Sequence, residues 1–314
     1  KTRLQNFQQS KYEFVYLAPE RLANSSFLKA CQKLKKLKGK ISFIAVDEAH
    51  CISMWGHDFR PSYTKINHFV HQATQLFAQR PIIAAFTATA TKQVRTDIFH
   101  QLSLKKPQIF LNSFKRDNLS FYVTACHNNF QQELVLFKLL KQLAIRTQNK
   151  AGIIYTATRK KTVYLTRLIK HYWGKTWPVA AYHGGLENEL RNKIQDQFLK
   201  NQLQIIVATN AFGMGVDKPN VRWVIHYHVP GNLENYYQEA GRAGRDGQPA
   251  QCHLLFNSQD LNLQKSFITQ THPNPQHPRH QHQLRQLQAM TQYATSQTCR
   301  QSFILDYFGQ QDQN

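Results

Sequence analysis

The stretch Ile41-Ser42-Phe43-Ile44-Ala45-Val46-Asp47-Glu48-Ala49-His50 decides the fold class. Its apolar run from Ile41 to Val46 predicts a short strand, and two acids stand directly beyond that strand's carboxyl end. Ligands of parallel sheets sit at such ends. One carboxylate there can hold Mg²⁺, usually through its waters, while its neighbour polarises the water that attacks a γ-phosphate. Asp47 suits the metal and Glu48 the water. The same pair also reads as an Asp that caps the following helix with a Glu in its first turn.

Working outward, short apolar runs recur with helical stretches between them. Phe14 to Leu17, Ile82 to Phe86 and Ile109 to Leu111 accompany the first, and Gly152 to Tyr155, Val179 to Tyr182, Ile205 to Ala208, Val224 to Tyr227 and Cys252 to Phe256 form a second series. This rhythm predicts an α/β fold with two parallel-sheet domains. The joint is expected near Asn112 to Asn118, before Phe121 to Thr124 resumes the apolar pattern. Beyond about Ser258 the chain becomes rich in Gln and His. The segment Thr271 to His280, with three prolines and no apolar period, predicts a connecting loop, and helical patterns restart at Leu284 to Tyr293 and at Cys299 to Phe308. His272, His277, His280 and His282 read as linker residues, since no cysteine or carboxylate joins them as a metal ligand.

The 314 residues carry 40 Lys and Arg against 18 Asp and Glu, a formal charge of +22 that favours a polyanionic partner such as nucleic acid or else a solvated basic surface. Five scattered cysteines without a C-x-x-C pair argue against both a disulfide framework and a complete zinc site and point to an intracellular, reducing compartment. No apolar run is long enough for a membrane-spanning helix, so a membrane is not expected as a partner.

A second candidate site is Gln238-Glu239-Ala240-Gly241-Arg242-Ala243-Gly244-Arg245-Asp246-Gly247. Arg242 and Arg245 are three apart, hence on one face if helical, and the glycines allow another surface to approach. Two guanidinium forks there could reach phosphate oxygens as arginine fingers do. A glycine-interrupted surface helix with solvated arginines is the alternative.

In order along the chain, Tyr16-Leu17-Ala18-Pro19-Glu20-Arg21-Leu22, Asp47 to His50, Thr87-Ala88-Thr89-Ala90-Thr91, Tyr182-His183-Gly184-Gly185, Gly213 to Asp217 and Gln238 to Gly247 resemble the motifs of superfamily 2 helicases. The aromatic-rich His50-Cys51-Ile52-Ser53-Met54-Trp55-Gly56-His57-Asp58-Phe59-Arg60-Pro61 resembles the RecQ family in particular. The likeness covers nearly the whole chain.

The resemblance implies two RecA-like domains with ATP in the cleft between them, a DEAH box at Asp47 to His50, and 3′ to 5′ unwinding of duplex DNA in recombination and repair. It implies that Asp47 binds Mg²⁺ through water and that Glu48 activates water. His50, Gly215, Asp217 and Gln238 would join Asp47, Arg242 and Arg245 in binding ATP. Trp55, His57, Phe59 and Arg60 would sense single-stranded DNA, for which their chemistry is suited because aromatic faces stack on any base and Arg adds phosphate or cation-π contact. Core packing of Trp55 and Phe59 is the other reading. The expected partners are single-stranded and partial duplex DNA. The implied boundaries are 1–114 for the first domain, 115–257 for the second, and 258–314 for a linker and the start of a zinc-binding subdomain.

Two expected parts are missing from the sequence. No G-x-x-x-x-G-K-[ST] loop is present, and Gly174-Lys175-Thr176 follows a helix with Ile169 where the leading glycine belongs. In the family this loop and an adenine-reading Gln segment precede Tyr16 to Leu22, so both are expected before Lys1, and the chain reads as a fragment. Cys299 to Gly309 resembles the opening of the zinc-binding subdomain. One thiolate cannot build a tetrahedral site, so Cys299 is at most a single ligand and zinc is expected only in the full-length parent. The isolated chain is expected to lack ATPase activity, and a non-catalytic nucleic-acid-binding remnant is the alternative reading.

Overall fold

A computed structural model describes residues 2–146, 151–174, 177–213 and 216–310, with the side chains of 144–146 excepted. The chain divides into two compact units, Lys1–Asn112 and Ser113–Asn314.

The first unit runs α1 (Thr2–Gln8), α2 (Ser25–Lys36), β1 (Phe43–Val46), α3 (Lys65–Phe77), β2 (Ile82–Ala85) and α4 (Lys92–Gln101). Asn24 and Thr91 cap α2 and α4 by accepting from backbone N–H groups two and three residues on, which satisfies donors that a helix start leaves open. β1 and β2 pair in parallel, Phe43 against Ile82 through Val46 against Ala85. Val46, Ile66, Val70, Val94 and Ile98 close a core between this ribbon and its helices.

Phe14 to Leu17 and Ile109 to Leu111, predicted as strands, are not strands. Their apolar character is genuine, but a strand also needs a neighbour's backbone ladder, and among the described residues β1 and β2 pair only with each other. Tyr16 is 96% exposed and Phe110 86% exposed.

The second unit runs β3 (Leu119–Cys126), α5 (Asn129–Arg146), β4 (Ala151–Tyr155), α6 (Arg159–Trp173), β5 (Val179–Tyr182), α7 (Asn188–Leu199), β6 (Ile205–Ala208), β7 (Val221–His226), α8 (Leu233–Ala240), β8 (Ala250–Asn257), α9 (Ser258–Thr271), α10 (Pro278–Thr295) and α11 (Arg300–Tyr307). Its six strands form one parallel sheet in the order β3-β8-β7-β4-β6-β5. Because successive side chains alternate faces, Ile153 and Ile206 enter one core with Phe198, while Ile154, Val207 and Ile225 enter another with Leu136, Leu140 and Leu165. Helices thus cover both faces, the expected consequence of strands with no polar side.

The stretch after Ser258 is more regular than its composition indicates. Asn257 caps α9, so helix occupies the first part of the expected linker, and only 272–277 connect it to α10. Hydrophobic contacts that periodicity along α9 does not display hold this end: Met290, Tyr293, Ile304 and Phe308 pack with Tyr236 and Leu254 into a third core.

Candidate functional site

The acids after β1 stand where the ladder is interrupted. Phe86 donates its N–H to the Val46 carbonyl at 2.8 Å and accepts from the Ala49 N–H at 2.8 Å, so Asp47 and Glu48 together loop out between two pairing groups. Glu48 takes up the excess with left-handed φ and ψ of 49° and 43°. That conformation costs a residue with a Cβ about 1–3 kcal/mol and persists only where the surroundings enforce it. Asp47 caps no helix: its Oδ1 accepts from the adjacent Glu48 N–H at 2.9 Å, and the short turn Ala49–Ile52 has no side-chain cap. The cap reading therefore fails. Asp47 is left exposed, with its backbone carbonyl held by the Tyr63 hydroxyl at 3.2 Å.

His50 ties this corner to the next segment. Its ring is buried, its Nδ1 lies 3.0 Å from Thr87 Oγ1 and 3.4 Å from Glu48 Oε2, and its face stacks on His57 at 4.3 Å. Burial lowers the His50 pKa to about 4, against the pull of Asp58, and burial with the nearby His50 lowers that of His57 to about 3. Both imidazoles are neutral at physiological pH, so the 3.4 Å approach of His50 to Glu48 is not an ion pair there. Thr87 belongs to the sequence motif after β2 and now has a partner in the acidic corner.

Trp55, His57, Phe59 and Arg60 share one loop, closed by the Arg60 N–H donating to the Cys51 carbonyl at 2.9 Å. Ser53 donates to Asp97 on α4 at 2.5 Å and accepts from the Trp55 N–H at 3.1 Å, which anchors the loop to the unit's core. Arg60 forks onto Asp58 Oδ2 at 2.6 and 3.0 Å. Gly56 is required by close approach: a Cβ there would lie 2.4 Å from the His50 carbonyl. Trp55 and Phe59 are half-buried, so they are neither fully packed nor fully free.

In the second unit the arginines do not share a helix face. α8 stops at Ala240, and Arg242 and Arg245 follow in a turn that Gly244, at φ 57°, makes possible. They diverge onto one strand-end segment. Buried Arg242 donates to the Gly213 carbonyl at 2.5 Å, and Arg245 donates to Asp217 Oδ1 at 2.9 Å and to the Val216 carbonyl at 3.3 Å. Arg242 Nε is buried without a partner, a charged donor still able to bond. Gln238 is half-buried on α8, whereas Gly215 lies outside the described residues.

Two groups escaped the sequence reading. His226, at the end of β7, sits between the rings of Tyr155 and Tyr236 and meets Glu239 Oε2 at 2.9 Å. Arg159, Lys160 and Lys161 fill the first turn of α6, where the helix dipole disfavours cations unless an anion joins them. Arg159 lies against Gly185, and burial and Arg159 lower the pKa of His183, whose Nδ1 is unpartnered. Basic residues directly after a strand were the available signal for this corner.

Zinc does not fit. Cys299 is exposed at the start of α11, and no group of three metal-ligating side chains exists among the described residues. Asp47 and Glu48 do suit a hydrated Mg²⁺, since a water-mediated site needs only one or two carboxylates. No described helix is long and apolar enough to cross a membrane.

Comparison with known proteins matches residues 1–97 to the DEAD/DEAH box helicase family, 135–247 to the helicase conserved C-terminal domain and 258–314 to the RecQ zinc-binding family. The ATP-dependent DNA helicase RecQ of Bacillus subtilis (strain 168) is 39% identical over 310 residues, 99% of this chain and 49% of that protein. A putative ATP-dependent RNA helicase of Acanthamoeba polyphaga mimivirus is 39% identical over 306 residues, 98% of this chain and 52% of that protein. The chain thus spans about half the length of these relatives. Among solved structures, Mss116p (NTE and C-tail double deletion) bound to ssRNA and AMP-PNP superposes with a TM-score of 0.65 at 21% identity, covering 87% of this chain and 54% of that one. The fold is that of two RecA-like helicase domains with a helical C-terminal segment. With three family matches in that order, the third specific to RecQ proteins, and RecQ relatives aligned across nearly its whole length, the chain belongs to the RecQ family of helicases.

Proposed function

We propose that this chain is the motor segment of an ATP-dependent DNA helicase that translocates 3′ to 5′ on single-stranded DNA and unwinds duplexes inside the cell. The observation that carries the reading is the corner Asp47 to His50, where a left-handed Glu48 leaves two acids beyond a parallel strand and His50 stacks on the aromatic-rich loop. ATP with Mg²⁺ supplies the phosphoryl-transfer free energy. Asp47 holds the metal's water shell and Glu48 polarises the attacking water. Arg242 and Arg245 neutralise phosphate charge, Gly215, Asp217 and Gln238 join them in binding ATP, and His50 relays the state of the loop. Trp55, His57, Phe59 and Arg60 read the strand by stacking and charge. Residues 1–114 and 115–257 are the two motor domains, and 258–314 the linker and start of the zinc-binding subdomain.

The sequence given carries no phosphate-cradling loop, so the isolated chain binds single-stranded DNA in a salt-sensitive way and hydrolyses little or no ATP. The test is Glu48→Gln in the intact gene product. DNA-stimulated ATP hydrolysis falls by orders of magnitude while DNA binding persists; unchanged turnover removes Glu48 from the role. Running the assay with RNA beside DNA decides the second reading, RNA as substrate, which the similarity to the mimivirus protein favours.

A further inference from the structure

The α5 and α6 surface of the second unit carries an apolar stripe that the motor reading does not use. Phe130 and Leu134 lie one turn apart on α5 and are 72% and 54% exposed, and Tyr172 on α6 is 63% exposed. Phe137, a further turn along α5, joins the two helices by meeting Tyr172 edge-on at 5.5 Å and stacking on Trp173 at 5.2 Å. The stripe is therefore continuous from Phe130 across to Tyr172, and its i, i+4, i+7 spacing is that of a ridge against which another helix packs.

Its border has one sign of charge. Glu133 is the sole acid in the sequence of both helices, and its two oxygens are taken by Lys161 Nζ at 3.0 Å and the Tyr164 hydroxyl at 3.0 Å. Lys138 and Lys141 on α5, and Lys160, Arg167 and Lys170 on α6, are exposed and meet no acid among the described residues. An apolar ridge rimmed by unpaired cations complements an amphipathic helix whose polar face is acidic. Nucleic acid fits less well, because Leu134 offers no stacking face and burying it against a phosphodiester chain gains nothing.

We propose that the α5 and α6 face docks an acidic amphipathic helix of a partner protein. The test is selection of a display library of short linear peptides on this chain, followed by fluorescence anisotropy with the enriched peptides. The expected peptides combine Asp and Glu with Leu, Ile or Phe at helical spacing. Their affinity falls at least tenfold in the double variant Phe130→Asp, Leu134→Asp and in Lys138→Glu, Lys141→Glu. Circular dichroism reports that each variant remains folded, and the charge reversal, which touches only exposed side chains, keeps the test alive if the apolar variant fails to fold. Binding persists in saturating oligo(dT). The proposal is overturned by enriched peptides without that pattern, by affinity unchanged in the folded variants, or by displacement with oligo(dT) whose own affinity drops in the same variants. Refusal of the peptides by the intact gene product overturns it too, since the face is then covered from within.

Discussion

His50 and His57 stack ring on ring, 4.3 Å between centroids and 17° between planes, which joins the acidic corner to the aromatic-rich loop through two neutral imidazoles. On the proposed function, a signal from DNA on the loop would travel along this contact, because a shift of the loop moves His57, and His50 approaches both Thr87 and Glu48. For the intact gene product, His57→Ala is expected to leave hydrolysis without DNA within about twofold and to cut its stimulation by DNA at least about tenfold, the scale of a typical coupling free energy of 1–3 kcal/mol. Steady-state ATPase assays with and without oligo(dT) check this, and equal loss in both conditions would assign His57 to folding.

Arg242 depends on a missing side chain. A Cβ at Gly213 would lie 2.4 Å from its guanidinium nitrogen, so an alanine there must push the buried guanidinium off the carbonyl it holds. Gly213→Ala should therefore cost on the order of 1–3 kcal/mol of stability, the scale for a buried polar group losing its partner, while displacing the arginine. The expected result in the intact gene product is a fall in kcat of about tenfold or more, measured well below a melting temperature that drops by a few degrees. Loss of the folded state at the assay temperature would point to collapse of the segment.

Particular residues show how far the sequence could be read. β5 and β6 occupy the expected spans because strands of a sheet covered on both faces betray themselves as unbroken apolar runs, even where, as in β5 at the edge, burial is partial. The same rule misreads Phe14 to Leu17 and Ile109 to Leu111, since a run of apolar residues says nothing about whether a neighbouring strand is there to pair with it. Arg242 and Arg245 were recognisable as a pair, but their divergence depends on the positive φ of Gly244, which residue spacing does not encode. His226 was invisible for a different reason: its partner Glu239 lies on another element, and only the tertiary fold brings them to 2.9 Å.

Neutral His50 makes the first unit sensitive to acid. Its pKa is lowered from 6.5 to about 4, chiefly by burial, so between those values the unfolded chain binds a proton that the folded chain refuses. Stability is full above about pH 6.5 and declines as pH falls toward 4, by on the order of 3 kcal/mol if the shift is fully expressed. Denaturant titrations of the chain across this range should show the decline, shared with His57, whose pKa is lowered to about 3, and His50→Gln should reduce the slope without abolishing it. A variant with the same pH slope would show that other groups carry the acid response.

Asp260 sets the opposite slope in the second unit. It is buried beside the start of α9, accepts from the Val229 N–H at 3.2 Å and from Gln132 Nε2 at 3.3 Å, and burial raises its pKa from 3.8 to about 6. The folded chain therefore holds a proton that the unfolded chain has lost between those values. Its contribution is present below pH 3.8 and is lost as pH rises through about 6. Both bonds end on Oδ2, so Asp260→Asn can keep them with its amide carbonyl and remove the buried charge. At pH 7.5 the variant is expected to be more stable by on the order of 1–3 kcal/mol, with the advantage vanishing near pH 4. Paired unfolding curves at the two pH values check this, and a variant less stable at both would mean that Asp260 is charged and well solvated by its neighbours in the folded state.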